Sequence, residues 1–186
     1  MRRLFCSMGV SLDGFIAARD GSIAFTAPDE ELHRFHNDEA RRTGMHLYGR
    51  RLWEAMAPWE TLDQEPGADA VTREWAELWR AMPKVVFSRT LESVSGSNVR
   101  LVRDDAVEEV TRLKAEPGDP ISVGGPGLAG SMIAAGLVDE FRLFVYPVIL
   151  GGGTPYFPAL DAPVELELAE TRTFASKVVY LRHVRA

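Results

Sequence analysis

Three short stretches of this chain carry residues able to bind phosphate. The first is Ile121-Ser-Val-Gly-Gly-Pro-Gly-Leu-Ala-Gly130, an apolar run that breaks at paired glycines and resumes as a helix opening on Pro126. Glycines let the backbone approach a ligand closely, and the first N–H groups of a helix have no partner inside it. Gly124, Gly125, Pro126, Gly127, Leu128 and Ala129 therefore form one candidate cradle. The second stretch is Leu47-Tyr-Gly-Arg-Arg-Leu-Trp-Glu54, and the third is Val85-Val-Phe-Ser-Arg-Thr-Leu91. Arg50 and Arg51 stand near a helix start, where the dipole disfavours cations unless an anion lies between them. A hydrogen bond from arginine to phosphate is worth about 1.5–3 kcal/mol. Two arginines with Ser88 and Thr90 would suit the extra 2′-phosphate that separates NADP from NAD. Taken alone, the glycine turn is equally a tight packing connection, and Arg89 equally a surface turn residue. Three strand ends together favour one extended, multiply phosphorylated ligand.

Gly125 to Gly130 matches G-x-G-x-x-G, but an ordinary Rossmann fold places that pattern after its first strand, with an acid about 20 residues on. Here it falls in the last third of the chain, and no G-x-x-x-x-G-K-[ST] occurs. An NAD-binding Rossmann protein remains a competing reading, to be separated by NADPH against NADH affinity. His33 and His36 are one helical turn apart without further ligands in view, so no metal site is expected and both are read as surface or cleft-rim residues. Trp53, Trp59, Trp75 and Trp79 read as packing, with Phe25 and Trp59 near a substrate cleft. Asp13-Gly14 has turn chemistry. Glu30 and Glu31 begin a helix, where carboxylates are favoured anyway.

These groups need elements to position them. Arg3 to Val10 reads as a buried strand and Leu12 to Phe15 as a turn. Pro28-Asp-Glu-Glu starts a helix that Arg41, Arg42 and Gly44 close. Met45 to Tyr48 is a strand, a helix opens at Gly49, and Thr61 to Asp69 is a loop. Trp75, Leu78 and Trp79 share one face of a third helix, and Lys84 to Ser88 is a strand. Asp105 and Glu108 form a capping-box pattern. Ile121 to Val123 is a strand, followed by a helix from Pro126 to Ala135 that Gly136 ends. Asp139 to Leu150, Val164 to Thr171 and Lys177 to Val184 read as antiparallel strands. The pattern predicts a single α/β domain over 1–186, with a mainly parallel sheet, an antiparallel edge and flanking helices.

Composition narrows the function. A net charge of −6 argues against nucleic acid as the main partner. No apolar run reaches membrane-spanning length. The single Cys6 has no internal disulfide partner, which fits a reducing, cytoplasmic setting.

Ser11-Leu-Asp-Gly-Phe-Ile-Ala17, the three stretches above, and Gly136-Leu-Val-Asp-Glu-Phe through Pro147-Val-Ile-Leu-Gly-Gly-Gly153 occur in that order. In this the chain resembles the dihydrofolate reductase-like family that includes the C-terminal reductase domain of bacterial riboflavin biosynthesis, the RibD C-terminal type. The resemblance covers nearly the whole chain. It implies a three-layer fold of the dihydrofolate reductase type and NADPH as cofactor. Gly49, Arg50 and Arg51 would meet its phosphates, Ser88, Arg89 and Thr90 its 2′-phosphate, and Gly124 to Ala129 its pyrophosphate. Met8, Gly9, Val10 and Ile16 would line the nicotinamide pocket, and a cis peptide would join Gly124 to Gly125. The substrate would be a small pterin-, pyrimidine- or folate-like heterocycle, with Asp13, Glu31 or a water supplying the proton. Glu31 is the nearest match to the substrate-binding acid of classical dihydrofolate reductases, by its spacing before Leu32 and Phe35. The Gly151 to Phe157 loop would lie near the cofactor or a partner subunit. A homodimer through strand edges or sheet faces around Phe141 to Leu150 is expected by analogy. The deaminase signature H-x-E with P-C-x-x-C is missing, so a stand-alone reductase-like domain is expected. A non-catalytic nucleotide-binding or dimerisation module of the same fold is the alternative.

Overall fold

The computed structural model describes residues 1–186. Ten strands and five α-helices follow one another, with short 3₁₀ turns between some of them. The strands are β1 (Leu4–Ser11), β2 (Phe15–Ala17), β3 (Met45–Gly49), β4 (Lys84–Phe87), β5 (Val99–Val102), β6 (Ile121–Gly124), β7 (Glu140–Tyr146), β8 (Thr154–Pro155), β9 (Leu166–Thr173) and β10 (Val179–Arg185). The helices are α1 (Glu30–Arg41), α2 (Arg50–Met56), α3 (Ala70–Ala81), α4 (Ala106–Ala115) and α5 (Pro126–Ala134).

Eight strands form one sheet in the order β5-β4-β3-β6-β1-β7-β10-β9. β5 through β7 run parallel, and β10 and β9 return antiparallel. β2 and β8 make a separate two-stranded ribbon. Strand side chains alternate between two buried faces. Leu4, Cys6, Leu47, Val85 and Val123 point one way, into a core closed by Val110 and Leu113 of α4 and Met132 and Ile133 of α5. Tyr48 and Val86 point the other way, onto Trp53 of α2 and Trp79 of α3, while Phe144 and Tyr180 meet Leu32 of α1. Each such large apolar side chain, once enclosed, stabilises the fold by about 1.5–3 kcal/mol. No helix is long and apolar enough to cross a membrane.

Three expectations change. The sequence pattern did not predict β5, a four-residue edge strand with two of its side chains half-buried. β7 is antiparallel only to β10; its other neighbour is β1, to which it runs parallel. It is therefore an interior strand, and its edges are not available for pairing with a second copy.

Candidate functional site

At the carboxyl ends of β3, β4 and β6 lies a cleft of about 660 Å³, whose walls include Gly49, Arg50, Arg51, Phe87, Gly125 and Gly127. Two helices begin at it, and they begin differently from the others. α1, α3 and α4 are each capped by an aspartate, Asp29, Asp69 and Asp105, whose carboxylate accepts backbone N–H groups of the first turn. α2 and α5 have Gly49 and Gly125 at that position and no side-chain cap. Their first N–H groups are left for a partner from outside the helix.

Gly125 has φ 91°, a conformation that side chains rarely adopt. That residue turns the chain from β6 into α5. All peptide bonds are trans, so the cis bond expected at Gly124-Gly125 is corrected. The positive φ of Gly125 makes the reversal without it. A Cβ on Gly127 would meet nothing within 4 Å, because that position faces the open cleft.

The arginines occupy distinct places. Arg50 donates from Nε to Glu54 (2.8 Å) and from Nη1 to Thr90 Oγ1 (2.9 Å). Ser88 Oγ accepts from the backbone N–H of Thr90 and of Leu91. The turn Ser88–Thr90 is thereby tied to the start of α2, although it stands beside the cleft rather than in its wall. Arg51 makes no ion pair. It lines both the cleft and an adjoining groove beside Phe15, Arg19 and Gly153. Arg89 also lacks a side-chain partner.

A second cavity, of about 220 Å³, lies behind the Gly124-Gly125 turn. Gly124 lines this cavity, Gly125 lines the cleft, and Leu52 lines both. Its floor is the sheet: Phe5, Ser7, Met8 and Gly9 of β1, Ser122 of β6, and His46 and Tyr48 of β3. Its roof includes His36 and Glu39 of α1, Met56 of α2 and Trp75 of α3. Burial pushes the imidazoles of His36 and His46 down to about 4, so both are neutral at neutral pH. His46 Nε2 and Trp75 Nε1 are shielded from solvent and have no hydrogen-bond partner. Glu39, the one carboxylate in the wall, is paired with Arg142.

A family model for the RibD C-terminal domain matches residues 2–180. The chain belongs to the RibD C-terminal domain family. Protein YyaP of Bacillus subtilis (strain 168) is 33% identical over 184 residues, covering 97% of this chain and 93% of YyaP. Among solved structures, a pyrimidine reductase-like protein from Corynebacterium diphtheriae superposes with a TM-score of 0.69 at 13% identity, covering 100% of this chain and 92% of that one. Dihydrofolate reductase from Enterococcus faecalis complexed with NADP(H) superposes with a TM-score of 0.61 at 16% identity, covering 98% and 96%. The fold is of the dihydrofolate reductase type.

Within this RibD C-terminal domain the structure gathers most of the phosphate-binding candidates and separates others. Gly49, Arg50, Arg51 and Gly125 to Leu128 share the cleft, and Met8 and Gly9 reach the inner cavity. Val10, Ile16 and Ala129 have their side chains in the core.

The two carboxylates expected to act as acids are both committed elsewhere. Asp13 accepts from Ser11 Oγ (2.7 Å), Leu150 N (3.1 Å) and Gly151 N (2.8 Å). Those bonds, the Ser11 hydroxyl foremost, hold its carboxyl below the usual range. An ionised Asp13 anchors the Leu150–Gly153 loop and has no proton to donate. Glu31 accepts from Ala175 N (2.9 Å) and pairs with Arg172 (2.7 Å), which lower its carboxyl in that order. It lies in the wall of neither cavity. His36, expected at a surface or rim, packs on Phe144 with ring centroids 4.5 Å apart and lines the inner cavity. His46, Tyr48 and Ser122 were missed. Their signal was there: polar residues set into the short apolar strands Met45–Gly49 and Ile121–Gly124.

Proposed function

We propose that this chain is an NADPH-dependent reductase acting on a small heterocycle held in the inner cavity. One observation carries the reading. Two glycine-capped helix starts, α2 and α5, open on one cleft beside Arg50 and Arg51, and a single glycine turn separates that cleft from a second, smaller cavity. The free N–H groups at Gly127 and Leu128 suit a pyrophosphate, which the dipole of α5 also favours. Arg51 can reach the same charge from the other side. Arg50, Ser88, Arg89 and Thr90 would hold the 2′-phosphate, the group by which NADPH differs from NADH.

The cofactor supplies the hydride, and the protein supplies position and electrostatics. Met8, Gly9 and Gly124 form the border at which the reacting ring would lie. Leu52, on both sides of the turn, fixes the distance between the two compartments. Phe5, Met56, Trp75 and Phe144 give the reacting face an apolar lining. With Asp13 and Glu31 committed to loop and strand contacts, the proton comes from a water admitted to the cavity.

The test is a titration of tryptophan fluorescence with NADPH and NADH, followed by NADPH oxidation against pterins, dihydrofolate and aminopyrimidine ribosyl phosphates. NADPH should bind more tightly than NADH. Arg51→Ala should weaken NADPH by at least about tenfold, as expected for a lost charged hydrogen bond. Tighter binding of NADH, or binding of neither, rejects the reading. The commitment of both expected acids favours one second reading, a nucleotide-binding module without turnover. NADPH binding with no oxidation on the whole panel would support it.

A further inference from the structure

The cleft described above lies at the carboxyl ends of the sheet strands. At the opposite ends, where Arg3 precedes β1, Pro120 precedes β6 and Glu140 opens β7, lies a cavity of about 350 Å³. Arg3, Arg42, Arg142 and Arg182 in its wall outnumber Glu39, Glu140 and Glu170, in a chain whose net charge is −6. Glu140 is buried among three of these cations, 2.6 Å from Arg142, 3.5 Å from Arg182 and 3.6 Å from Arg3. Glu39 is shared between Arg142 and Arg42, and Glu170 pairs with Arg182. Every carboxylate is therefore matched, and the surplus charge is positive.

That surplus carries a cost. Arg142 and Arg182 stand directly opposite each other on β7 and β10, a like-charge pair that disfavours the sheet unless anions lie against it. The Arg142 guanidinium is held over the Phe5 ring, 3.7 Å from its centroid. Arg142 donates from Nε to Glu140 and from Nη1 to Glu39, and Arg182 donates from Nε to Glu170. Nη2 of the first and both terminal nitrogens of the second are left without a hydrogen bond. The exposed side chains of Arg3 and Arg42 make none, their nearest carboxylates being 3.6 and 4.0 Å away. A guanidinium only donates, so the spare hydrogen-bonding capacity of this wall is almost wholly that of donors.

Tyr180 is an independent sign of a missing acceptor. It is 1% exposed and lines the same cavity. Its hydroxyl has no partner within the chain and, unlike His46 Nε2 and Trp75 Nε1, is not sealed from solvent. The space it meets is this cavity.

We propose that this cavity is a second anion site, separate from the cleft, and that it takes a phosphate group. Arg3 and Arg42 hold the anion from the rim, and Arg142, Arg182 and the Tyr180 hydroxyl hold it from within. The four guanidiniums come from the chain before β1, the end of α1, β7 and β10. They approach from several directions, which suits the tetrahedral oxygens of phosphate better than the two coplanar oxygens of a carboxylate. The assignment does not rest on the reductase reading.

Calorimetry with inorganic phosphate at pH 7.5 and constant ionic strength tests it on the whole chain and on Arg51→Ala, which removes the unpaired arginine of the cleft. Phosphate should still bind Arg51→Ala. Arg3→Ala combined with Arg42→Ala should keep the parent's melting temperature and its NADPH titration, and should weaken phosphate at least about tenfold, the scale of a lost charged hydrogen bond. Tyr180→Phe, which keeps the ring, should weaken phosphate by about three- to tenfold. Malonate has a similar charge on planar carboxylates and should bind at least about tenfold more weakly than phosphate, again the scale of one charged hydrogen bond. Glycerol 3-phosphate separates the two sources of the group: tighter binding than inorganic phosphate supports a phosphate ester as the ligand, and weaker binding supports the free ion. Loss of phosphate binding in Arg51→Ala, full phosphate affinity in the Arg3 and Arg42 double variant or in Tyr180→Phe, or malonate binding as tightly as phosphate overturns the proposal. A fall in NADPH affinity in the double variant would place its effect at the cleft and overturns it too.

Discussion

Two glycines a short distance apart in function show how differently one methyl group can act. At Gly153, φ is +143° and an added Cβ would lie 1.9 Å from the carbonyl oxygen of Ala17. Neither backbone can yield, since Ala17 ends β2, which pairs with β8 just after the glycine. Gly153→Ala should cost at least about 3 kcal/mol, read from the urea midpoint. Gly127 is the opposite case. Its φ is not in the left-handed region, and a Cβ there would touch nothing within 4 Å. Gly127→Ala should leave stability within about 1 kcal/mol of the parent. Its methyl group would nevertheless stand where the cleft must admit a pyrophosphate, so NADPH affinity should fall at least about tenfold, the scale of one charged hydrogen bond. A Gly127→Ala variant that binds NADPH normally would show that the cofactor does not approach α5.

At the scale of elements, the helix starts divide into those that serve the fold and those that face the cleft. Asp105 caps α4 through Val107 N (2.8 Å) and Glu108 N (3.0 Å), so Asp105→Ala should cost about 1 kcal/mol. Gly49 has the dihedral angles of an ordinary N-cap, φ −73° and ψ 157°, and an added Cβ would make only a normal contact with Leu128 at 3.5 Å. An aspartate is therefore sterically admissible there. Gly49→Asp should change stability by only a few tenths of a kcal/mol, because glycine is itself a tolerable cap. It should abolish NADPH binding by filling the first N–H groups of α2 and setting a carboxylate against phosphate. Retained binding would mean that α2 does not face the cofactor. The helix starts at Asp29 and Asp105 were legible because a cap is a local event written in adjacent residues. β5 was not, since Val99-Arg-Leu-Val is too short for its alternation to stand out from a loop. The pairing of β7 was not either: its own residues read as a strand, but only the order of crossovers puts β1 on one side and β10 on the other.

The whole molecule decides what becomes of its histidines. The glycine-and-arginine cleft could be read ahead of the fold because glycine, proline and arginine mark backbone geometry and charge within a few residues. The inner cavity could not, since Ser7, His36, His46, Trp75 and Ser122 come from five elements that only the completed sheet brings together. The burial of its histidines has a consequence for acid stability. Burial holds His36 and His46 at about 4 in the folded chain, against about 6.5 when unfolded. His33, half-buried between Trp59 and Trp75, is lowered in the same direction. The unfolded chain therefore binds protons that the native cavity refuses. Stability is complete above about pH 6.5 and falls as the pH drops from there toward 4, each buried histidine contributing a slope of up to about 1.4 kcal/mol per pH unit. Lys84, lowered to about 8 by burial, is charged in both states below pH 7, and Glu109, held at about 2 by Arg112 and Arg100, adds to the loss only below about pH 5, where the unfolded carboxyl begins to take up protons. Urea unfolding at pH 7.5, 6.0 and 5.0 should show a steep loss below 6.5, and His46→Gln should remove one proton's worth of that slope. A flat profile down to pH 5 would mean that His36 and His46 take up protons in the native state. The cavity wall would then be able to hold a charge.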